Sequence, residues 1–150
     1  MIVPAPSRCV VDASTAIKIV LAEPLSAQAN RLFDGLVETP PAQFHVPNLF
    51  FAECANILWK YIRRRAYPRQ VATSDLQYLI GLQLHVTSMR DLVEDALPLA
   101  WTYDLTAYDA CYVALAERLL VPLVTADEAL IRKLAGSSHD VKWLGHLPTT

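Results

Sequence analysis

Residues 121–130, VPLVTADEAL, run from an unbroken apolar stretch into a polar turn carrying two adjacent acids, Asp127 and Glu128, and then into apolar residues at helical spacing. A short apolar run without alternation reads as a strand buried on both faces, which is how strands of a helix-covered parallel sheet look in sequence. Strand, turn and helix in that order are half of a βαβ unit. The same grammar recurs along the chain. RCVVDA, FHVP, HVTS, PLVTA and DVKWL are short and rich in β-branched residues, and longer segments with apolar residues at spacings of three and four separate them. The pattern predicts an α/β fold, a three-layer α/β/α arrangement around a central parallel sheet of about five strands. Strand order is not derivable from it. In such sheets ligands gather outside the carboxyl ends of the strands, so chemistry is expected there.

Helix signals fill the intervals. Asp12 or Ser14 can cap a helix running to about Ala22, stopped by Pro24, and a second helix follows through about Leu36. Asn48 is positioned to cap the long segment NLFFAECANILWKYIRRRAY, and Pro68 opens a helix that fades at Gly81. Further helices are expected from Asp91 to about Trp101, from Thr106 through YDACYVALAERLL, and from Thr125 to Leu134.

Composition narrows the function. With 150 residues, 53% of them hydrophobic, and no compositional shift, repeat or linker, residues 1–150 read as one soluble domain. A net charge of −2 with 19% charged residues announces no polyanion partner, so any nucleic-acid site must be local. No apolar run approaches the roughly 18 to 20 residues that span a bilayer, and the N-terminus lacks the form of a secretion signal, which makes the cytoplasm the expected compartment and leaves no role for a membrane. Cys9, Cys54 and Cys111 are odd in number, far apart and set among apolar neighbours, hence core residues rather than disulfides or zinc ligands. The four histidines show no metal-ligand spacing.

Acids at strand ends carry the most information. Asp12 follows CVV, where the first strand runs out; a helix cap would explain it alone. Asp109 lies three residues beyond Thr106, so helix-start chemistry can explain it too. Glu53 is different, because it sits inside a helix that is apolar on almost every side. Glu53, Asn56, Lys60 and Arg63 or Arg64 form one narrow polar stripe, which on a buried helix points to a cleft. Asn56, one turn from Glu53, could orient its carboxylate. In the opening stretch, Thr125 and Glu128 have capping-box spacing, which assigns Glu128 to the helix start and leaves Asp127 spare at the strand end.

Several carboxylates brought together repel, and some take up protons unless a cation intervenes. Mg²⁺ or Mn²⁺ suits oxygen-only sites and pairs naturally with substrate phosphates. An ion held there can render water nucleophilic and stabilise charge building on a phosphodiester.

VVDAS (10–14), FAECANIL (51–58), YDACYVALA (108–116) and LVTADEAL (123–130), in this order, resemble the four acidic motifs of PIN-domain ribonucleases, particularly the small VapC-type toxins of toxin–antitoxin pairs. The resemblance covers nearly the whole chain, and no acidic position is missing. It implies a Mg²⁺- or Mn²⁺-dependent endoribonuclease acting on structured RNA, with Asp12, Glu53, Asp109 and Asp127 as catalytic metal-binding acids. It also implies a parallel sheet, homodimerisation, and a cognate VapB-type antitoxin whose C-terminal segment lies over the cleft. Ser14 and Thr125 match polar positions that accompany the acids in that family. Lys60, Arg63, Arg64, Arg65 and Arg69 cluster toward the end of the Glu53 helix, where they can engage RNA phosphates or simply complement the helix dipole. Trp59, Tyr108 and Tyr112, at helical spacing among apolar residues, are expected to pack in the core. Two other readings stand beside the nuclease: a catalytically silent module that binds RNA or a basic partner peptide in the same cleft, and a phosphohydrolase with Asp12 as nucleophile. The latter is disfavoured by Ser14, which stands where a second acid would help.

Overall fold

The computed structural model describes all residues, 1–150. All five expected strands form, as β1 (Arg8–Val11), β2 (Gln43–Pro47), β3 (His85–Thr87), β4 (Leu123–Thr125) and β5 (Val141–Trp143). They make one sheet in the order β3-β2-β1-β4-β5, with every neighbouring pair parallel. Seven α-helices connect them: α1 (Ala13–Ala16), α2 (Ser26–Asp34), α3 (Leu49–Arg65), α4 (Arg69–Ile80), α5 (Val93–Tyr103), α6 (Ala107–Leu119) and α7 (Glu128–Leu134).

The period-two alternation of strand side chains divides the core. Cys9, Val11, Phe44, Val46 and Val124 face one layer, where they meet Ile17, Leu32, Phe50, Cys54, Leu58 and Leu79 of α1 to α4 and their connections. Val10 and Leu123 face the other, against Ala96, the run Ala110–Ala116, Leu130 and Leu134 of α5 to α7. The sheet is thus covered on both sides, which is why its strands read as unbroken apolar runs. All three cysteines are buried and free, and no helix is long and apolar enough to cross a membrane.

Three helix assignments shift. The first helix does not reach Ala22: α1 is four residues, followed by a 3-10 turn at Ile17–Ile19, where β-branched residues dominate the sequence. The helix expected from Asp91 starts at Val93 after a 3-10 turn at Met89–Asp91, and it carries Pro98 internally. Asn48 makes no side-chain cap on α3. Its Oδ1 instead accepts from the Met89 N–H at 3.0 Å, tying the start of α3 to the segment after β3.

The strand order positions the site. From β1 the chain winds outward to β2 and β3, then crosses back to lay β4 on the other side of β1 and continues to β5. The winding reverses between β1 and β4, and a crevice opens at the carboxyl ends of that pair.

Candidate active site

Asp12 follows the last residue of β1, and its buried carboxylate is tightly held. Oδ1 accepts from the Ser14 hydroxyl at 2.7 Å and from the Thr15 N–H at 3.0 Å, and Oδ2 accepts from the Thr125 hydroxyl. Asp12 is therefore the N-cap of α1, and it also takes a bond from β4 across the crevice. Burial pushes its carboxyl above the ordinary value, although the bonds from Thr125, Ser14 and Thr15 pull the other way.

The turn after β4 departs from the capping-box expectation. Thr125 is fully buried and is the last residue of β4, not a helix cap. Its hydroxyl donates to Asp12 and accepts from the Asp127 N–H at 3.0 Å. Asp127 caps α7: its Oδ1 accepts from Ala129 N–H at 2.8 Å and Leu130 N–H at 3.3 Å. Glu128, assigned to the cap by spacing, is exposed and lies 3.9 Å from Arg132 one turn on. Spacing could not reveal this, because the claim on the Thr125 hydroxyl comes from a residue 113 positions away.

Asp109 is the third residue of α6, whose N-cap Thr106 accepts from the Asp109 N–H at 3.1 Å. Burial raises its carboxyl, and the neighbouring charge of Asp127 raises it further. Glu53 sits on α3 one residue before the buried Cys54, half-buried, with Oε1 accepting from the Tyr112 hydroxyl at 2.5 Å. Burial lifts its pKa as well, with the charges of Asp109 and Asp12 adding to the rise and the Tyr112 bond opposing it.

Asp12, Glu53, Asp109 and Asp127 line one cavity of about 180 Å³, together with Ala13, Ser14, Asn56, Ile57, Lys60 and Tyr112. Ser14 also accepts from the Ala126 N–H at 3.1 Å, which stitches the α1 start to the β4 turn. Thr125 supports the wall from beneath, through Asp12 and Asp127. A larger hollow of about 290 Å³, at the opposite ends of β4 and β5 near Leu120 and His139, holds none of these acids.

Of the expected basic contacts, Lys60 alone lines the acid cavity. Arg63, Arg64 and Arg65 are exposed further along α3; Arg63 lies over the Trp59 ring at 5.2 Å and Arg65 over the Tyr61 ring at 5.1 Å. The aromatic residues divide. Tyr112 is core, as expected, but its hydroxyl reaches Glu53, a role that residue type and spacing did not signal. Trp59 and Tyr108 are not core; they are 50% and 59% exposed.

The donor set fits a hard divalent cation. It is all oxygen, three of its four acids are raised by burial, two of those further by the charge of neighbouring acids, and one lysine is the only cation in the lining. No three of the chain's histidine, cysteine, aspartate and glutamate side chains close into a ready-made cage. Mg²⁺ takes oxygen donors of this kind, one or two carboxylates at a time, and usually keeps several waters of its own.

The PIN domain model matches residues 9–136. Ribonuclease VapC3 of Pyrobaculum aerophilum is 36% identical over 128 residues, which cover 84% of this chain and 94% of that one. Among solved structures, PAE2754 from Pyrobaculum aerophilum superposes with a TM-score of 0.68 at 23% identity, covering 94% of this chain and 85% of its own. A toxin–antitoxin complex from Klebsiella pneumoniae gives 0.57 at 18% identity, over 89% and 95% of the respective chains. At such identities the two structures speak to the fold alone. With the domain model spanning most of the residues and a curated ribonuclease aligned along nearly its whole length, the chain belongs to the PIN-domain family, among its VapC ribonucleases.

Proposed function

We propose that this protein is a Mg²⁺- or Mn²⁺-dependent endoribonuclease that hydrolyses RNA phosphodiester bonds in the cytoplasm as the toxin of a toxin–antitoxin pair. One observation carries the reading: carboxylates from four separate segments of the chain converge on a single small cavity at the switch point of the sheet. Asp12, Glu53, Asp109 and Asp127 would hold one or two ions there. When bound, the ion supplies Lewis-acid activation of water and stabilises charge developing on the phosphodiester.

The chain's own residues do the rest. Ser14, Thr15 and Thr125 fix both oxygens of Asp12, and Tyr112 fixes one oxygen of Glu53, so neither carboxylate has to be ordered when ligands arrive. Both cap bonds of Asp127 fall on Oδ1, so its Oδ2 is uncommitted. Lys60 brings a positive charge to the rim, where it would meet a backbone phosphate. Asn56 offers an amide donor and acceptor beside it.

Family membership also supports a protein partner. The ribonuclease name of the VapC3 relative and the toxin–antitoxin complex among the structural neighbours support a VapB-type antitoxin as the inhibitory partner. A homodimer is proposed as well; α5 displays Val93, Leu97 and Trp101 at spacings of four, all about half exposed or more, as an apolar stripe suited to association.

Purified protein, freed of any antitoxin, is to be incubated with total RNA and Mg²⁺ or Mn²⁺ and the cut ends mapped. Discrete cleavage that disappears in EDTA and in Asp12→Asn is expected. Undiminished cleavage in EDTA, or full activity of the folded variant, would overturn the metal-dependent reading.

A further inference from the structure

A second, shallower hollow adjoins the acid cavity. It is lined by Leu49, Ala52, Glu53, Asn56 and Tyr108, and Glu53 and Asn56 belong to both. Its volume, about 260 Å³, is below the roughly 300–1,000 Å³ of sites that enclose whole small molecules. Leu49, Ala52 and Asn56 recur at spacings of three and four on α3, so they form one wall, and Tyr108 at the start of α6 supplies another. Tyr108 is 59% exposed, its hydroxyl makes no hydrogen bond to the rest of the chain, and its ring stacks on no other. The other exposed aromatic of this region, Trp59, already carries the Arg63 guanidinium over its ring. Tyr108 is thus an open aromatic surface beside the acids.

We propose that this hollow is a nucleobase subsite: the base of a nucleotide adjoining the scissile phosphate leaves its own stack and lies against Tyr108, with Leu49 and Ala52 beneath it and the Asn56 amide at its edge. The inference rests on the nuclease reading and sharpens it. Two features favour a base over other occupants. The hollow is apolar, with one amide and one carboxylate at its border, which matches a flat ring with polar edges. It is also continuous with the acid cavity, so a strand whose phosphate sits at the acids and Lys60 brings its next base there. A base inside a duplex cannot reach the Tyr108 ring, so the hollow takes only a base that has left its stack.

The test uses the intact chain and a short single-stranded oligoadenylate carrying 2-aminopurine, with an abasic oligomer of equal length as control, read by stopped flow in Mg²⁺ before turnover. Binding should quench the 2-aminopurine. Tyr108→Ala should weaken the base-carrying oligomer by about tenfold or more, abolish the quench and leave the abasic oligomer unaffected, whereas Tyr108→Phe keeps both signals. Circular dichroism checks that the variants fold. Equal binding of both oligomers by wild type and Tyr108→Ala, or a loss that extends to the abasic strand, overturns the subsite. If RNA is still cut at discrete positions in that case, the nuclease reading stands without it. If instead the Tyr108 signature is present and no RNA is cut, the nuclease reading fails and the base site remains.

Discussion

Asp127 has two separable jobs, and a short series of variants pulls them apart. Its Oδ1 takes the N–H bonds of Ala129 and Leu130, and its charge faces Asp109 and the cavity. Asp127→Ala removes the cap and the charge together. Losing a capping side chain costs about 1 kcal/mol, within a range of roughly 0.5–2 kcal/mol. At urea m-values of roughly 1–3 kcal/mol/M, that lowers the unfolding midpoint by roughly 0.3–1 M. Asp127→Asn keeps a capping oxygen, and asparagine caps about as well as aspartate. Losing the charge at the α7 N-terminus costs a few tenths of a kcal/mol, roughly. In metal-free protein that loss is opposed by relief of repulsion on Asp109, so Asp127→Asn should unfold within about 0.3 M of wild type.

Activity should not follow stability. Both variants lack a charged oxygen at the cavity, and both should lose more than the roughly 10–100-fold typical of removing a residue that only supports a metal ligand. Glu128→Gln is the control: its exposed side chain reaches Arg132 only at 3.9 Å, so the pair is worth about 0.5 kcal/mol or less, and cleavage should be unchanged. Urea unfolding in EDTA gives the midpoints, and initial rates on a mapped RNA substrate in Mg²⁺ give the activities. Asp127→Asn as unstable as Asp127→Ala would refute the capping assignment. Asp127→Asn within a few-fold of wild-type activity would refute the place of Asp127 in the site.

Three further outcomes are expected. Tyr112→Phe, which strips Glu53 of its hydrogen bond, should weaken Mn²⁺ binding measured by calorimetry about 10–100-fold while the fold survives; unchanged affinity would show that Glu53 needs no such support. Thr125→Val deletes a buried hydroxyl that serves both Asp12 and Asp127, and should cost about 2–4 kcal/mol in urea unfolding, with Thr125→Ser recovering most of it. Asp12, Glu53 and Asp109 have folded pKa values raised above the ordinary 3.8 and 4.5, so between those values and their folded ones the folded state binds more protons. In EDTA the protein should therefore lose stability as pH rises from about 4 through that window, with a shallower fall in Asp12→Asn and in Glu53→Gln. Excess Mg²⁺ should offset the fall, by about 2.7 kcal/mol at 100 times its dissociation constant.

The fold was legible because its strands obey one rule. CVV and PLV are buried on both faces and show it as unbroken apolar runs, and the helices between them follow from spacing and from Pro68 and Thr106, whereas Pro24 does not mark the end of the first helix. Strand order was not legible. Nothing local distinguishes β4 pairing with β1 from β4 pairing with β3, yet that choice brings Asp127 to Asp12. The site acids could be named from strand ends, the Glu53 stripe and the motif resemblance. What failed was the division of labour at TADE, where a local pattern, Thr-x-x-Glu, was overridden by a buried partner far along the chain. Tyr108 and Tyr112 were likewise inseparable by spacing, since one faces solvent and the other the core only because of where α6 lies on the sheet.

The corrected turn also changes how the site acids relate to the backbone. Asp12 caps α1, Asp127 caps α7, and Asp109 is the third residue of α6. Three of the four acids thus occupy helix starts, where backbone N–H groups and the helix dipole favour negative charge before any cation arrives. For Asp12 and Asp127, capping and metal binding are not rival explanations, because the bonds that fix the helix start also fix the carboxylate. Glu53, in mid-helix, has no such support from its own backbone. Its one anchor is the hydroxyl of Tyr112, on the same helix as Asp109. A single hydrogen bond between α3 and α6 therefore orients the fourth carboxylate, whose helix is otherwise held by the packing of Phe50, Cys54 and Leu58, which makes Tyr112→Phe the substitution that loosens a site acid without removing one.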